Sequence, residues 1–149
     1  MSKIRVCVIG AAGRMGRRLV TYVMESSDMT LTGAVEVAGN PLLGSDAGAV
    51  AGCGNAGVTI TDNLDEVLKN CDAVIDFSPS GVVAAAKKSA AAGCSMVIGT
   101  TALPEAARQE LAELAKSAKI VFAPNYSVGV NLLFHLSGFV AKLLADYDV

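Results

Sequence analysis

The stretch Val6-Cys-Val-Ile-Gly-Ala-Ala-Gly-Arg-Met-Gly-Arg-Arg18 decides the fold. Val6 to Ile9 form a short apolar run of the kind that makes a buried strand. Gly10 ends it, and Gly13 and Gly16 follow at three-residue spacing. A helical pattern then begins, with Met15, Leu19, Tyr22 and Val23 expected on one face. Strand, glycine turn and helix in that order build a phosphate-binding βα turn. Gly10 suits the tight turn, Gly13 the close approach of a pyrophosphate, and Gly16 the packing of the helix near the strand. The helix N-terminus offers unpaired N–H groups and a partial positive charge to an anion. The spacing is Gly-x-x-Gly-x-x-Gly rather than Gly-x-Gly-x-x-Gly. No Lys-Ser/Thr follows the last glycine, so the turn is not a P-loop.

The run Leu31-Thr-Gly-Ala-Val-Glu36 reads as a second strand ending in an acid, 20 residues after Gly16. A carboxylate there is placed to bind the adenosine ribose hydroxyls of a dinucleotide. The plain alternative is an ordinary βα unit whose glycines serve packing alone.

Outward from this pair the strand and helix signals alternate. Residues 38–57 hold six glycines and Pro41, which argues for a long loop, with 47–51 as a possible short helix. Such loops are more often functional or mobile than neutral. Val58 to Ile60 is a short strand, and Asp62 or Asn63 can cap a small helix through Leu68. Ala73 to Phe77 is a buried strand. A helix is expected from Pro79 to Gly93, with Val82, Ala86, Ser89 and Ala90 as its small-residue face. Ser95 to Gly99 is the next strand. Pro104 opens another helix with Ala107, Leu111, Leu114 and Ala115 inward, Ile120 to Phe122 is a strand, and a final helix spans about 128–145. The tail from Asp146 to Val149 reads as a loop feeding a further strand. The series predicts an α/β fold with a doubly wound parallel sheet, a Rossmann-type dinucleotide-binding domain. Ligands of such sheets bind beyond the carboxyl ends of the strands. Here those ends are Gly10, Glu36, Phe77-Ser78, Gly99 to Thr101 and Ala123 to Tyr126.

Composition bounds the function. A net charge of −2 gives no basic footprint for nucleic acid or an anionic membrane. Cys7, Cys53, Cys71 and Cys94 make no Cys-x-x-Cys pair and read as small fillers of a reducing cytosol, with no metal site. The N-terminus enters a strand at once, leaving no room for a signal peptide. The apolar stretch 130–145 is shorter than a membrane span.

Several stretches together resemble the amino-terminal domain of the dihydrodipicolinate reductase family. They are Gly-Ala-Ala-Gly-Arg-Met-Gly-Arg at 10–17, Leu-Leu-Gly-Ser-Asp-Ala-Gly at 42–48 and Val-Ile-Asp-Phe-Ser at 74–78, with Val-Ile-Gly-Thr-Thr at 97–101 and Phe-Ala-Pro-Asn-Tyr-Ser-Val-Gly-Val-Asn at 122–131. The resemblance implies NADH or NADPH as hydride donor. It implies reduction of the cyclic dicarboxylate 4-hydroxy-tetrahydrodipicolinate in lysine and diaminopimelate biosynthesis, by a cytoplasmic homotetramer. It places Gly10, Ala11, Ala12, Gly13, Arg14 and Met15 at the pyrophosphate and Glu36 at the ribose. Gly99, Thr100 and Thr101, with Ala123, Pro124, Asn125 and Tyr126, would line the nicotinamide. Phe77, at its strand end, joins the cofactor-binding set. Residues 1–127 would be the dinucleotide-binding domain and 128–149 a helix leading to a substrate and tetramerisation domain.

Two departures stand out. The family often carries Arg directly after the strand-two acid, where this chain has Val37. The loop Ser78-Pro79-Ser80 is tight where some relatives add a basic residue. The family's His-His stretch with a nearby Lys and its Ser-Gly-Thr loop do not occur in the sequence. No catalytic residue is therefore assigned. His135 lies within a helix without an acid partner, and Asp76 reads as a polar group closing a strand. Asp46 is expected to order the glycine-rich loop, and Arg14 is placed to reach the pyrophosphate or cover the adenine. Two further readings stay open: the cofactor domain of another NAD-dependent dehydrogenase, and a non-enzymatic NAD-sensing or CoA-binding module. Glu36 speaks against CoA, whose 3′-phosphate it would repel.

Overall fold

Ile4–Ile9 forms β1, the strand from which the sheet grows in both directions; the computed structural model describes residues 2–147. Val6 and Val8 are buried against one face of the sheet and Cys7 against the other. With both faces covered, the stretch of β1 from Val6 to Ile9 is continuously apolar and does not alternate, while Arg5 at the outer end pairs with Asp72. Then follow α1 (Arg14–Glu25), β2 (Met29–Val35), α2 (Ala47–Ala51), β3 (Ile60–Thr61), α3 (Leu64–Leu68) and β4 (Ala73–Asp76). The chain continues with α4 (Val82–Ala91), β5 (Ser95–Ile98), α5 (Glu105–Leu114), β6 (Ile120–Phe122) and α6 (Val128–Leu143). All strand pairs are parallel and the order is β3-β2-β1-β4-β5-β6. This is the doubly wound sheet expected, and its direction of growth reverses between β1 and β4.

Val20 and Val23 of α1 and Ala47 of α2 pack on one side around Val6, Val8 and Leu31. Leu68, Val82, Ala86 and Leu111 pack on the other around Cys7, Val74, Met96 and Ile98. The register sets Ile9 level with Val35 and Asp76, Asp76 with Ile98, and Ile98 with Phe122. Gly10, Glu36, Phe77, Gly99 and Ala123 therefore emerge side by side along one edge.

Several faces differ from expectation. The inward line of α1 is Gly16, Val20 and Val23, while Met15 and Tyr22 are exposed. A Cβ on Gly16 would collide with the Gly10 carbonyl, so the helix touches the turn along a line through the residue that has none. Helix α4 starts at Val82, not Pro79, because Gly81 takes a left-handed conformation (φ +78°) as its N-cap. Its buried face is Val82, Ala85, Ala86 and Ser89, with Ala85 in the place expected of Ala90. Pro104 precedes α5 as its N-cap, and Ala115 lies past the helix end, exposed. The strand expected at Val58 to Ile60 is displaced to Ile60–Thr61, and Cys53 is only half-buried.

The glycine-rich segment is pinned. Asp46 Oδ1 accepts the N–H groups of Ala49 (2.9 Å) and Ala56 (3.0 Å), capping α2 as it holds the loop. These bonds, that from Ala56 first, hold the Asp46 carboxyl below its ordinary range. Gly44 N–H donates to Ile60 O at 2.9 Å and ties the segment to the sheet. No residue of α6 is buried; Leu132, Phe134, Phe139 and Leu143 are each more than half exposed. Asp148 and Val149, part of the expected strand-feeding tail, lie outside the described residues.

Candidate functional site

The glycine turn leaves β1 with Gly10 at φ +73°, the left-handed region that favours glycine. Gly10 and Ala11 N–H both donate to Val35 O, at 2.8 and 3.2 Å, which fastens the turn to β2. Gly13 is the N-cap of α1, and no side chain caps that helix. Helices α2, α3 and α6 are capped by Asp46, Asn63 and Ser127. The N-termini of α1 and α4, which line the same cleft, have no side-chain cap. Their first N–H groups lack partners within the helix and suit an anion.

Glu36 follows β2 directly. Its Oε1 accepts the Ala12 N–H at 2.8 Å, so the acid is bonded to the glycine turn itself. Its Oε2 accepts from Asn40 Nδ2 at 3.2 Å and from its neighbour Val37 N–H at 3.3 Å. Between this wall and the Asp76–Gly81 turn lies a cleft of about 930 Å³, large enough for most of a dinucleotide. It opens where the sheet order reverses.

Asp76, on the far wall, is fully buried. Its Oδ1 accepts the Ser78 N–H at 2.8 Å, while Oδ2 has no hydrogen-bond partner. Burial pushes this carboxyl above its ordinary range, against the opposing effect of Ser78. A carboxyl raised on folding stabilises the fold below its unfolded pKa, and that contribution is lost as pH rises through the folded value. Asp76→Asn keeps the acceptor for Ser78 and cannot ionise. Its melting temperature relative to wild type is therefore expected to rise between pH 5 and pH 8. A difference that stays constant or falls over that range would show that ionising Asp76 costs the fold nothing.

The expected site residues divide into groups. Gly10, Ala12, Gly13, Arg14, Met15, Glu36 and Phe77 line the cleft. Ala11 is buried in the core, and its N–H is taken by Val35. Gly99 to Thr101 and Ala123 to Tyr126 do not line the cleft but form a patch beyond Phe77. The Phe77 ring lies where a Cβ on Gly99 would go, and its centroid is 5.9 Å from that of Tyr126. Thr100 Oγ1 donates to Ser78 O at 2.8 Å. Tyr126 OH donates to Ile98 O at 2.9 Å, with Val121 O at 3.2 Å. Thr100 thereby ties the end of β5 to the turn after β4, and Tyr126 ties the exit of β6 to the end of β5. His135 is exposed on α6, outside the cleft.

Sequence reading missed part of the wall. Val37, Asn40, Pro41 and Leu42 come from the glycine-rich segment, and Leu64, Ala84, Ala85 and Lys88 from α3 and α4. Arg14 and Lys88 are the cations on the lining; Lys88 Nζ lies 2.6 Å from Asp65 Oδ2. The 42–48 motif marked the segment, but nothing local shows which of its side chains turn inward. Among the described residues no three His, Cys, Asp or Glu gather to hold a metal ion, and no helix is long and apolar enough to cross a membrane.

A family model described as dihydrodipicolinate reductase, N-terminus, matches residues 4–126. The chain belongs to the dihydrodipicolinate reductase family. It corresponds to that family's nucleotide-binding Rossmann-type domain, which speaks for a nicotinamide cofactor. The 4-hydroxy-tetrahydrodipicolinate reductase of Cupriavidus taiwanensis is 45% identical over 148 residues, covering 98% of this chain and 56% of that protein. The protein of the same name from Cupriavidus necator is 46% identical over 151 residues, covering 98% and 56%. Among solved structures, a dipicolinate-bound dihydrodipicolinate reductase from Paenisporosarcina sp. TG-14 superposes with a TM-score of 0.70 at 25% identity. That match covers 97% of this chain and 54% of the other. The chain thus spans about half the length of the curated family members it matches.

Proposed function

We propose that this chain binds a nicotinamide dinucleotide in the cleft between β1 and β4. We further propose that it is the cofactor half of an NAD(P)H-dependent reductase of 4-hydroxy-tetrahydrodipicolinate, in lysine and diaminopimelate biosynthesis. One observation carries the reading: Glu36 is bonded to Ala12 N–H, which joins the ribose-binding acid and the phosphate-binding turn into one wall. The cleft fits the cofactor. A Cβ on Gly13 would meet only Gly10 O, at 3.1 Å, so nothing else of the protein crowds that side of the turn.

In this reading the N-terminus of α1, with Arg14 and Met15, takes the pyrophosphate, and Glu36 accepts the adenosine ribose hydroxyls. The patch formed by Gly99 to Thr101 and Ala123 to Tyr126, with Phe77 beside it, receives the nicotinamide ring. NADH supplies the hydride when bound. The chain's own part is to hold and orient it, since positioning is a large share of such a barrier. We read residues 1–127 as the dinucleotide-binding domain. Helix α6, apolar and uncovered, leads in this reading to the substrate- and tetramer-forming part of a cytoplasmic enzyme. Calorimetric titration with NADH, with CoA as control, tests the assignment. Binding of NADH and not CoA is expected; CoA binding alone would replace it with a CoA module.

The cleft favours NADH over NADPH. The 2′-phosphate would lie near the Glu36 carboxylate, and Val37 offers no compensating charge. A preference of about tenfold is expected, corresponding to about 1.4 kcal/mol. Val37→Arg should narrow it. Equal dissociation constants for the two cofactors at low salt would refute it.

A further inference from the structure

We propose that Asn40 is a positioning residue for Glu36 and, through it, a determinant of the discrimination between NADH and NADPH. The inference rests on the cofactor reading of the cleft given above. Its own support is the set of bonds around one side-chain amide. Asn40 Nδ2 donates to Glu36 Oε2 at 3.2 Å. Its Oδ1 accepts the Leu42 N–H at 2.9 Å, which fixes the end of the amide that faces the acid. Its main-chain N–H donates to Val37 O at 3.2 Å and closes the turn that brings it back toward Glu36. Pro41 follows and restricts the backbone at this point.

Glu36 is therefore gripped at both oxygens. The glycine turn holds Oε1 through Ala12, and Oε2 is held by Asn40 from the glycine-rich segment, with the adjacent Val37 N–H as a longer second donor. A glutamate on a surface strand end is otherwise free to turn about its side-chain bonds, and it would have to be ordered anew by each ligand. Held in advance, its carboxylate faces the ribose at no further ordering cost. The donor is also neutral. An arginine or lysine in the same place would hold Glu36 equally well but would cancel its charge and attract a 2′-phosphate. An amide fixes the acid and leaves its negative charge intact, which favours a ribose with two free hydroxyls. Asn40 lines the cleft with Val37 and Leu42, so this grip lies at the ligand and not behind it.

Two substitutions separate the grip on Glu36 from the shape of the loop. Asn40→Asp keeps an oxygen for the Leu42 N–H and so keeps the turn. At pH 8 it cannot donate to Glu36, and it sets a like charge beside it. Asn40→Ala removes both bonds and adds no charge. Each variant and the wild type are titrated with NADH and with NADPH, and their melting temperatures are recorded. Asn40→Asp is expected to melt close to wild type yet bind NADH about tenfold more weakly. Asn40→Ala is expected to lose about fivefold for NADH and less for NADPH, because Glu36, left with only main-chain donors, can turn more readily away from the 2′-phosphate. Wild-type NADH affinity in Asn40→Asp, or equal losses for both cofactors in Asn40→Ala, would reduce Asn40 to a loop-shaping residue and overturn the inference. A wild type that binds neither cofactor would overturn the reading of the cleft itself, and this inference with it.

Discussion

Gly13→Val is expected to weaken NADH binding by about a hundredfold or more, about 2.7 kcal/mol, and to leave the fold intact. The two halves of that expectation have separate causes. Gly13 has φ −71° and ψ 167°, an extended conformation open to any residue, so valine adds no backbone strain. Its Cβ would meet only Gly10 O, at 3.1 Å, which a shift of a few tenths of an ångström relieves. The branched side chain would then occupy the cleft above the α1 N-terminus, where the pyrophosphate is proposed to lie. Gly16 is the control. A Cβ there would overlap main-chain atoms of Gly10 and Ala11, and neither can yield without moving α1 off the sheet. Gly16→Ala should therefore lower the melting temperature by several degrees, as overpacked sites do. Unchanged NADH affinity in Gly13→Val by calorimetry would show that the pyrophosphate does not lie against this turn. Loss of the fold in that variant would show that Gly13 serves packing, as Gly16 does.

The difference between these two glycines marks how far the sequence could be read. Strand, glycine turn, helix and a second strand ending in an acid are local patterns, and each forms where the pattern puts it. The parallel order follows from their alternation, because short connections leave few other ways to cover both sheet faces. Contacts between distant segments were not legible. The true inward line of α1 depends on how closely Gly16 approaches Gly10, which no periodicity of the helix reports. Asn40 gave no motif at all. Its bond to Glu36 depends on the turn that returns the chain from Val37 to Leu42. The bond from Ala12 to Glu36 crosses between two strand ends whose register is set by the whole sheet. Leu64 and Ala84 sit in the first turns of helices that follow β3 and β4, strands separated in the sheet by β2 and β1, so only the assembled edge shows that they share a wall with the glycine turn. The patch proposed for the nicotinamide was half legible: its residues fall at strand ends as expected. The structure adds that Thr100 and Tyr126 hydroxyls are already bonded to main-chain carbonyls and so shape the patch more than they offer donors to a ligand.

Given NADH and 4-hydroxy-tetrahydrodipicolinate generated in situ, the 149-residue chain is expected to oxidise no NADH above background. Reducing a cyclic dicarboxylate requires a placed nicotinamide, a cationic clamp for the carboxylates and a proton donor. In the proposed reading the cleft and the patch beyond Phe77 supply the first. In the patch proposed for the nicotinamide, Asn125 Oδ1 is occupied by the Ser127 N–H at 2.8 Å, and no lysine, arginine or histidine belongs to the group. Of the two cations on the cleft, Arg14 stands at the glycine turn and Lys88 is paired with Asp65. A substrate without a clamp is not oriented, and orientation is worth roughly 7–11 kcal/mol of barrier, which is about five orders of magnitude in rate or more. Absorbance at the NADH band, followed at saturating cofactor, measures the rate. The companion titration must show NADH bound, so that silence reports missing catalytic groups and not an empty cleft. Turnover near that of a full-length family member would place the clamp and the proton donor within these residues. Asp76, buried at the cleft with one unpartnered oxygen, and His135 on α6 would then be the groups to replace first.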